Sequence, residues 1–352
     1  MEPVTKKFKP NNISDSVQFY INELKNDRNL KAVLCDSVNQ PIPLIQVTVG
    51  IVNNVSDLST IVKVLNEKLP LKELTHLKRV RSTARNCKGV VICPSELLND
   101  TIQDYLNKYV SEIADMFSCF EECSVPKYGP VTKKQFSETK KYWSCNFHPN
   151  EEVEKALSDN YFNIKSLKTH KYYMELAFHL LQRHLQNNST TIEDVFFNVT
   201  IVVDPTANSI VAIGLDKRHN HPTQHAAMVA IDNVAKTQGG GAWKQDLKKD
   251  LVNCGINEDI QKYLTGNYPE QALGLQKDSK IDPYLCTGYI FYMLREPCVM
   301  CAMGMVHARV KQVFFALNNK EMGALKSTTK LHTIQSLNHR YEVFTGFLDS
   351  EI

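Results

Sequence analysis

EPCVMCAMGMVHARVKQVFFAL (296–317) places two cysteines, Cys298 and Cys301, two residues apart where a helix is expected to start. At that spacing both thiols can face one ion. Pro297 suits the first turn of a helix, where its missing N–H is no loss. A helix N-terminus also lowers thiol pKa and favours the thiolates that a metal requires. KQVFFAL (311–317) then reads as a strand. Upstream, HPTQHAAMVAI (221–231) opens another helix, with His225 at its start. Two parallel helices in one layer bring His225 against the cysteines, giving three zinc ligands and one open position. Each piece alone is ambiguous. A lone CxxC also suits redox chemistry or simple burial, and a lone His at a helix start also suits capping or the core.

Working outward, YIFYML (289–294) is a strand before the site helix. DVFFNVTIVVDPTANSIVAIG (194–214) is a strand pair around the turn DPTANS. HKYYMELAFHLLQRHLQ (170–186) is a helix with an apolar face. The order α, β-β, α, β, α, β predicts a sheet covered by helices over 165–352. An insertion at about 238–283 has its own helical patch, NEDIQKYL, and no ligand pattern. The front of the chain reads β–α–β–α. PIPLIQVTVGIV, SDLSTIVKVLNEKLP, GVVICP and SELLNDTIQDYLNKYVSEIADMF carry it, and they predict a smaller α+β domain over 16–150 behind a flexible tail, 1–15. That domain closes on a Lys-, Pro- and aromatic-rich connector, 124–150.

The chain has 352 residues, suggesting about two domains. With 43% hydrophobic and 22% charged residues, it is too apolar to be disordered as a whole. No apolar run approaches the roughly 20 residues of a membrane helix. MEPVTKKFKPNN lacks the apolar stretch of a secretory signal, so the ten cysteines are expected to be reduced. The net charge is +3. Residues 1–150 hold 20 basic against 16 acidic residues, and the remainder 21 against 22. A mildly basic front half permits a polyanionic partner without demanding one.

H-x-E followed by P-C-x-x-C is the signature of zinc nucleobase deaminases. HPTQHAAMVAI, EPCVMCAMGMVHARVKQVFFAL and SLNHRYEVFTG (336–346) resemble the corresponding stretches of tRNA adenosine deaminases. The resemblance implies a cytidine-deaminase-like α/β/α sandwich and a Zn2+ held by His225, Cys298 and Cys301. One position departs from the pattern. Ala227 stands where the family has the glutamate that moves protons between water and the ring. Glu296 belongs to the shared EPC string and is not a replacement. This substitution, the large front domain and YLCTGY (284–289) resemble the non-catalytic subunit of the eukaryotic heterodimeric tRNA adenosine deaminase. That resemblance implies a catalytic partner bearing the glutamate, a tRNA substrate edited from adenosine to inosine at the wobble position, and location in nucleus or cytoplasm. The fourth metal position is then expected to go to water, Asp349, Glu351 or the C-terminal carboxylate. LTHLKRVRS and the connector resemble segments of the same subunit. They nominate Lys78, Arg79, Arg81, Lys133, Lys134, Lys140, Lys141, Tyr142 and Trp143 for RNA contact, cations against phosphates and aromatics against bases. The competing readings are a zinc-stabilised RNA-binding module without a deaminase partner and a self-sufficient deaminase using another carboxylate.

Overall fold

A computed structural model describes residues 13–26, 29–82, 87–158, 161–187, 198–243, 255–274 and 284–348. The elements in chain order are α1 (Ile13–Glu23), β1 (Lys31–Ala32), α2 (Asp36–Asn39), β2 (Leu44–Val52), α3 (Leu58–Lys68), β3 (Val80–Ser82), β4 (Lys88–Pro94), α4 (Ile102–Val110), β5 (Phe117–Pro126), α5 (Lys133–Thr139) and α6 (Glu151–Leu157). There follow α7 (Ile164–Asn187), β6 (Val199–Asp204), β7 (Ser209–Leu215), α8 (Ala226–Thr237), α9 (Glu258–Asn267), β8 (Ala272–Leu273), β9 (Ile290–Arg295), α10 (Val299–His307), β10 (Gln312–Leu317) and β11 (Glu342–Thr345). The chain forms two compact units, Asp36–Lys155 and the remainder.

The 36–155 unit is built on an antiparallel sheet in the order β3-β4-β2-β5. Its two central strands, LIQVTVGIV and KGVVICP, are rich in β-branched residues and buried on both faces. Val90 and Ile92 meet Ile61 and Leu65 of α3 and Leu106 and Val110 of α4. On the other face Val47, Val49 and Val91 meet Leu74, Leu77 and Trp143. Helix α5 opens with a capping box between Thr132 and Gln135. The buried Gln135 side chain then donates to the carbonyls of Ser37 and Gln40, at 2.6 and 3.0 Å.

The other unit holds a seven-stranded sheet, β1-β11-β10-β9-β6-β7-β8. Strands β9, β10 and β11 are parallel, while β6 runs antiparallel to β9 and β7. Side chains alternate across β9. Tyr292 lies against His170 and Tyr173 of α7, whereas Met293 faces the N-termini of α8 and α10. Helices α1 and α7 therefore cover one face and α8 and α10 the other, the α/β/α sandwich expected from sequence. The NEDIQKYL patch is α9, capped by Asn257 and tied to α7 by the Arg183–Asp259 ion pair.

The division departs from a 16–150 front domain at its start. Val17 and Ile21 of α1 and Leu24 just after it sit in the core of the seven-stranded unit, with the Tyr20 ring packed 5.7 Å from Phe178. β1 extends the seven-stranded sheet through Lys31↔Thr345 and Ala32↔Phe344. A helix whose one apolar stripe fits α7 is buried there whatever its distance in sequence. Of the expected 1–15 tail, 1–12 lies outside the described residues and 13–15 belongs to α1.

Candidate metal centre and basic face

His225 is the residue before α8 and Cys298 the residue before α10, both in extended backbone, with Cys301 in the first turn of α10. Close approach of small residues sets the two helices. An added Cβ at Gly214 of β7 would lie 2.1 Å from the Ala226 carbonyl oxygen, so only glycine lets α8 settle this deep on the sheet. Across from it, Gly304 of α10 packs on the flexible side chain of Met228 of α8, where an added Cβ would lie 2.6 Å from Sδ and the methionine would have to shift. The ligand atoms of His225, Cys298 and Cys301 consequently lie within 4.8 Å of one another. No other such group occurs among the described residues.

The donor set fits a zinc ion: one imidazole nitrogen and two thiols, converging at two helix N-termini. Cys298 Sγ is 3.6 Å from His225 Nδ1. A hydrogen bond from Cys301 and the neighbouring His225 lower the Cys298 pKa to about 3, making it the thiolate of the pair. Cys301, held as the donor and buried, is shifted upward. The cavity over the three atoms has a volume of about 50 Å3. That is room for water, far below the roughly 300 Å3 at which organic ligand sites begin.

The methyl group of Ala227 lines this cavity and is buried. Among the described residues no carboxylate takes its place. Glu296 is buried, and its oxygens accept from the backbone N–H groups of Asn319, Leu325, Lys326 and Ser327 and from the Ser327 hydroxyl. It anchors the 319–327 loop. Asp216 is bound by Arg218 Nε at 2.8 and 3.0 Å. Glu321 is an exposed residue at the cavity rim. Sequence reading missed the Asp216–Arg218 pair. It sits in the connection between β7 and α8, which has no motif spacing to flag it. The candidate fourth ligands Asp349, Glu351 and the terminal carboxylate lie outside the described residues.

The two basic segments nominated for RNA meet in the 36–155 unit. Lys78 N–H donates to the Ser144 carbonyl at 2.9 Å, and Leu77 pairs with Cys145. Lys78, Lys133, Lys134, Lys140, Lys141 and Tyr142 are exposed. Two nominations are corrected. Arg79 is 8% exposed, and its guanidinium donates to the Val91 and Leu69 carbonyls and Asn66 Oδ1. Burial lowers its pKa to about 10. Trp143 is 1% exposed and donates its indole N–H to the Lys78 carbonyl at 2.6 Å. Neither reaches a base or phosphate. Arg81 lies 4.4 Å above the Trp143 ring and donates to the Tyr142 carbonyl, so it braces this face and is only partly open.

Residues 45–143 match the family model of the tRNA-specific adenosine deaminase TAD3 N-terminal domain. Residues 167–317 match that of the cytidine and deoxycytidylate deaminase zinc-binding region. The chain is 30% identical over 329 residues to the probable inactive tRNA-specific adenosine deaminase-like protein 3 of Danio rerio, covering 90% of each. The protein of that name from Homo sapiens is 32% identical over 228 residues, 64% of this chain and 62% of the relative. The tRNA-specific adenosine deaminase subunit TAD3 of Saccharomyces cerevisiae is 25% identical over 287 residues, 77% and 74% of the two chains. With both halves matched in order and an alignment spanning nine-tenths of a relative, this chain belongs to the family of tRNA-specific adenosine deaminase-like protein 3.

Proposed function

We propose that this chain is the non-catalytic subunit of a heterodimeric deaminase that converts adenosine to inosine at the wobble position of tRNA. The observation that carries the reading is Ala227, a buried methyl group on the wall of an otherwise intact His225–Cys298–Cys301 cluster. Bound zinc supplies a Lewis acid that makes water more acidic. The residues of this chain would hold the ion and exclude bulk solvent, but none of the described ones is built to carry a proton onward. Positioned acid–base groups contribute about 10²–10⁴-fold to such reactions. The cavity is also too small for a purine. What the site retains is stability, since metal binding free energy adds to folding free energy.

A second subunit that keeps the glutamate supplies the chemistry. The basic face of the 36–155 unit, with Lys78, Lys140, Lys141 and Tyr142 exposed side by side in the pairing of its two segments, supports a role in holding tRNA. Lys133 and Lys134 extend it at the other end of α5. Val299, 51% exposed on α10, and its neighbour Met303 offer the partner an apolar contact. Among the described residues no helix is long and apolar enough to cross a membrane. We place the complex in nucleus or cytoplasm. The test is reconstitution: inosine is expected when this chain is mixed with the glutamate-bearing subunit and tRNA. A partner equally active with and without this chain would refute the assignment.

A further inference from the structure

Strands β9, β10 and β11 run parallel, so their first residues share the end of the sheet away from Cys298. Three short segments enter the strands there: 284–289 before β9, 308–311 before β10 and 338–341 before β11. The proposed function makes no use of this end.

Hydrogen bonds knit the three segments into one ledge. Cys286 N–H donates to the Ala308 carbonyl at 2.8 Å, and Lys311 N–H to the Tyr289 carbonyl at 3.0 Å. Thr287 pairs with Val310, and His339 Nε2 donates to the Val310 carbonyl at 2.7 Å. Three non-glycine residues among the described ones hold a positive φ, and two of them lie here, Leu285 at 55° and Arg309 at 60°. Arg309 occupies the left-handed position just past the end of α10, where glycine fits without strain. The helix end does not need the arginine side chain. The Gly304, Met305, Val306 and Ala308 carbonyls already accept from the backbone N–H groups of Ala308, Val310, Arg309 and Cys286. The guanidinium lies instead 5.7 Å from the ring centroid of Tyr284.

Tyr284 is 65% exposed. A ring this open contributes little to the core and offers area for stacking. The ledge also carries one sign of charge. Arg309, Lys311 and Arg340 are exposed and form no ion pair among the described residues. Across 284–289, 307–317 and 336–345 the only carboxylate is Glu342. Its oxygens accept from the Gln312 amide at 2.6 Å and the Tyr161 hydroxyl at 3.1 Å.

We propose that this ledge binds an unpaired stretch of RNA, with a base stacked on Tyr284 and the flanking phosphates at Arg309, Lys311 and Arg340. Guanidinium and ammonium groups suit phosphates, and every base offers a π-face to a tyrosine ring. The choice of RNA over an acidic peptide rests on the tRNA reading above and on the open ring, which an acidic peptide does not require. None of these residues belongs to the 36–155 unit, so the contact is separate from its basic face.

The experiment is fluorescence anisotropy of the full chain with a single-stranded oligouridylate and with tRNA, over a range of salt concentrations. Tyr284→Ala should weaken the oligouridylate about tenfold and leave the salt slope unchanged. The Arg309→Gly/Lys311→Ala double variant should weaken it too, with a salt slope shallower by about one to two. Glycine adopts the Arg309 backbone conformation freely, so the urea midpoint of this variant should stay near that of the parent chain. Both losses should persist when Lys140→Ala and Lys141→Ala are added on the other unit. Parental RNA affinity in both ledge variants would overturn the inference and leave the editing role standing. Binding of a glutamate-rich peptide that both variants abolish, with RNA affinity untouched, would overturn it in favour of a protein-docking surface. Failure to form inosine with the glutamate-bearing subunit would remove the editing role and leave these binding losses in place.

Discussion

The side chains of Arg79 and Trp143 lie inside the 36–155 unit although a basic, aromatic sequence nominates both for RNA. Arg79 gives its donors to the Val91 and Leu69 carbonyls and Asn66 Oδ1, fastening the end of α3 to β4, and Trp143 gives its indole N–H to the Lys78 carbonyl, fastening the 142–145 segment to the stretch before β3. Trp143→Ala should therefore destabilise the protein by about 3–5 kcal/mol. Urea unfolding is the measurement, and a variant of parental stability with weakened RNA binding would return Trp143 to the surface role. Lys141→Ala, on an exposed side chain, should leave the urea midpoint unchanged and lower tRNA affinity with a shallower salt dependence. The contrast shows what residue type alone conveys. His225, Cys298 and Cys301 were legible because metal chemistry dictates both residue type and spacing. Burial of a cation was not legible, because nothing local in KRVR distinguishes the arginine that faces inward.

At the scale of elements, strong periodicity was readable and weak periodicity was not. The α, β-β, α, β, α, β order over the deaminase-like unit appears as α7, β6-β7, α8, β9, α10, β10. Strand β5 escaped notice because FSCFEECSVP places two glutamates side by side on an edge strand with one partner. The run 95–117 reads as one helix but forms α4 between two 3-10 turns, with Thr101 capping its start. The α7–β9 contact leads to a pH prediction. Burial lowers the His170 pKa to about 4, from an ordinary 6.5. Between those values the unfolded chain binds a proton that the folded chain does not, so stability falls as pH is lowered from about 6.5 toward 4. His170→Phe should lose less stability over that interval than the parent chain. Equal losses in urea midpoint, measured at about pH 7 and pH 5, would contradict this account of the contact.

For the whole molecule, the unexpected feature is that the first described residues complete the second unit. Sequence order hid this, because α1 and β1 meet their partners only after the deaminase-like unit has been traversed. Removing residues 1–35 should lower the unfolding midpoint of that unit and leave the 36–155 unit unchanged. Hydrogen exchange in the two units is the measurement, and protection lost from β2 and β4 would contradict the division. The central claim concerns the other end of the argument, a metal site kept for structure after its proton carrier became a methyl group. Its most direct test combines metal analysis of the isolated full chain with an inosine assay on tRNA. The account predicts about one zinc per chain, lost in His225→Ala and Cys298→Ala, and no inosine. Inosine formed by the zinc-loaded chain with no other subunit present would contradict it.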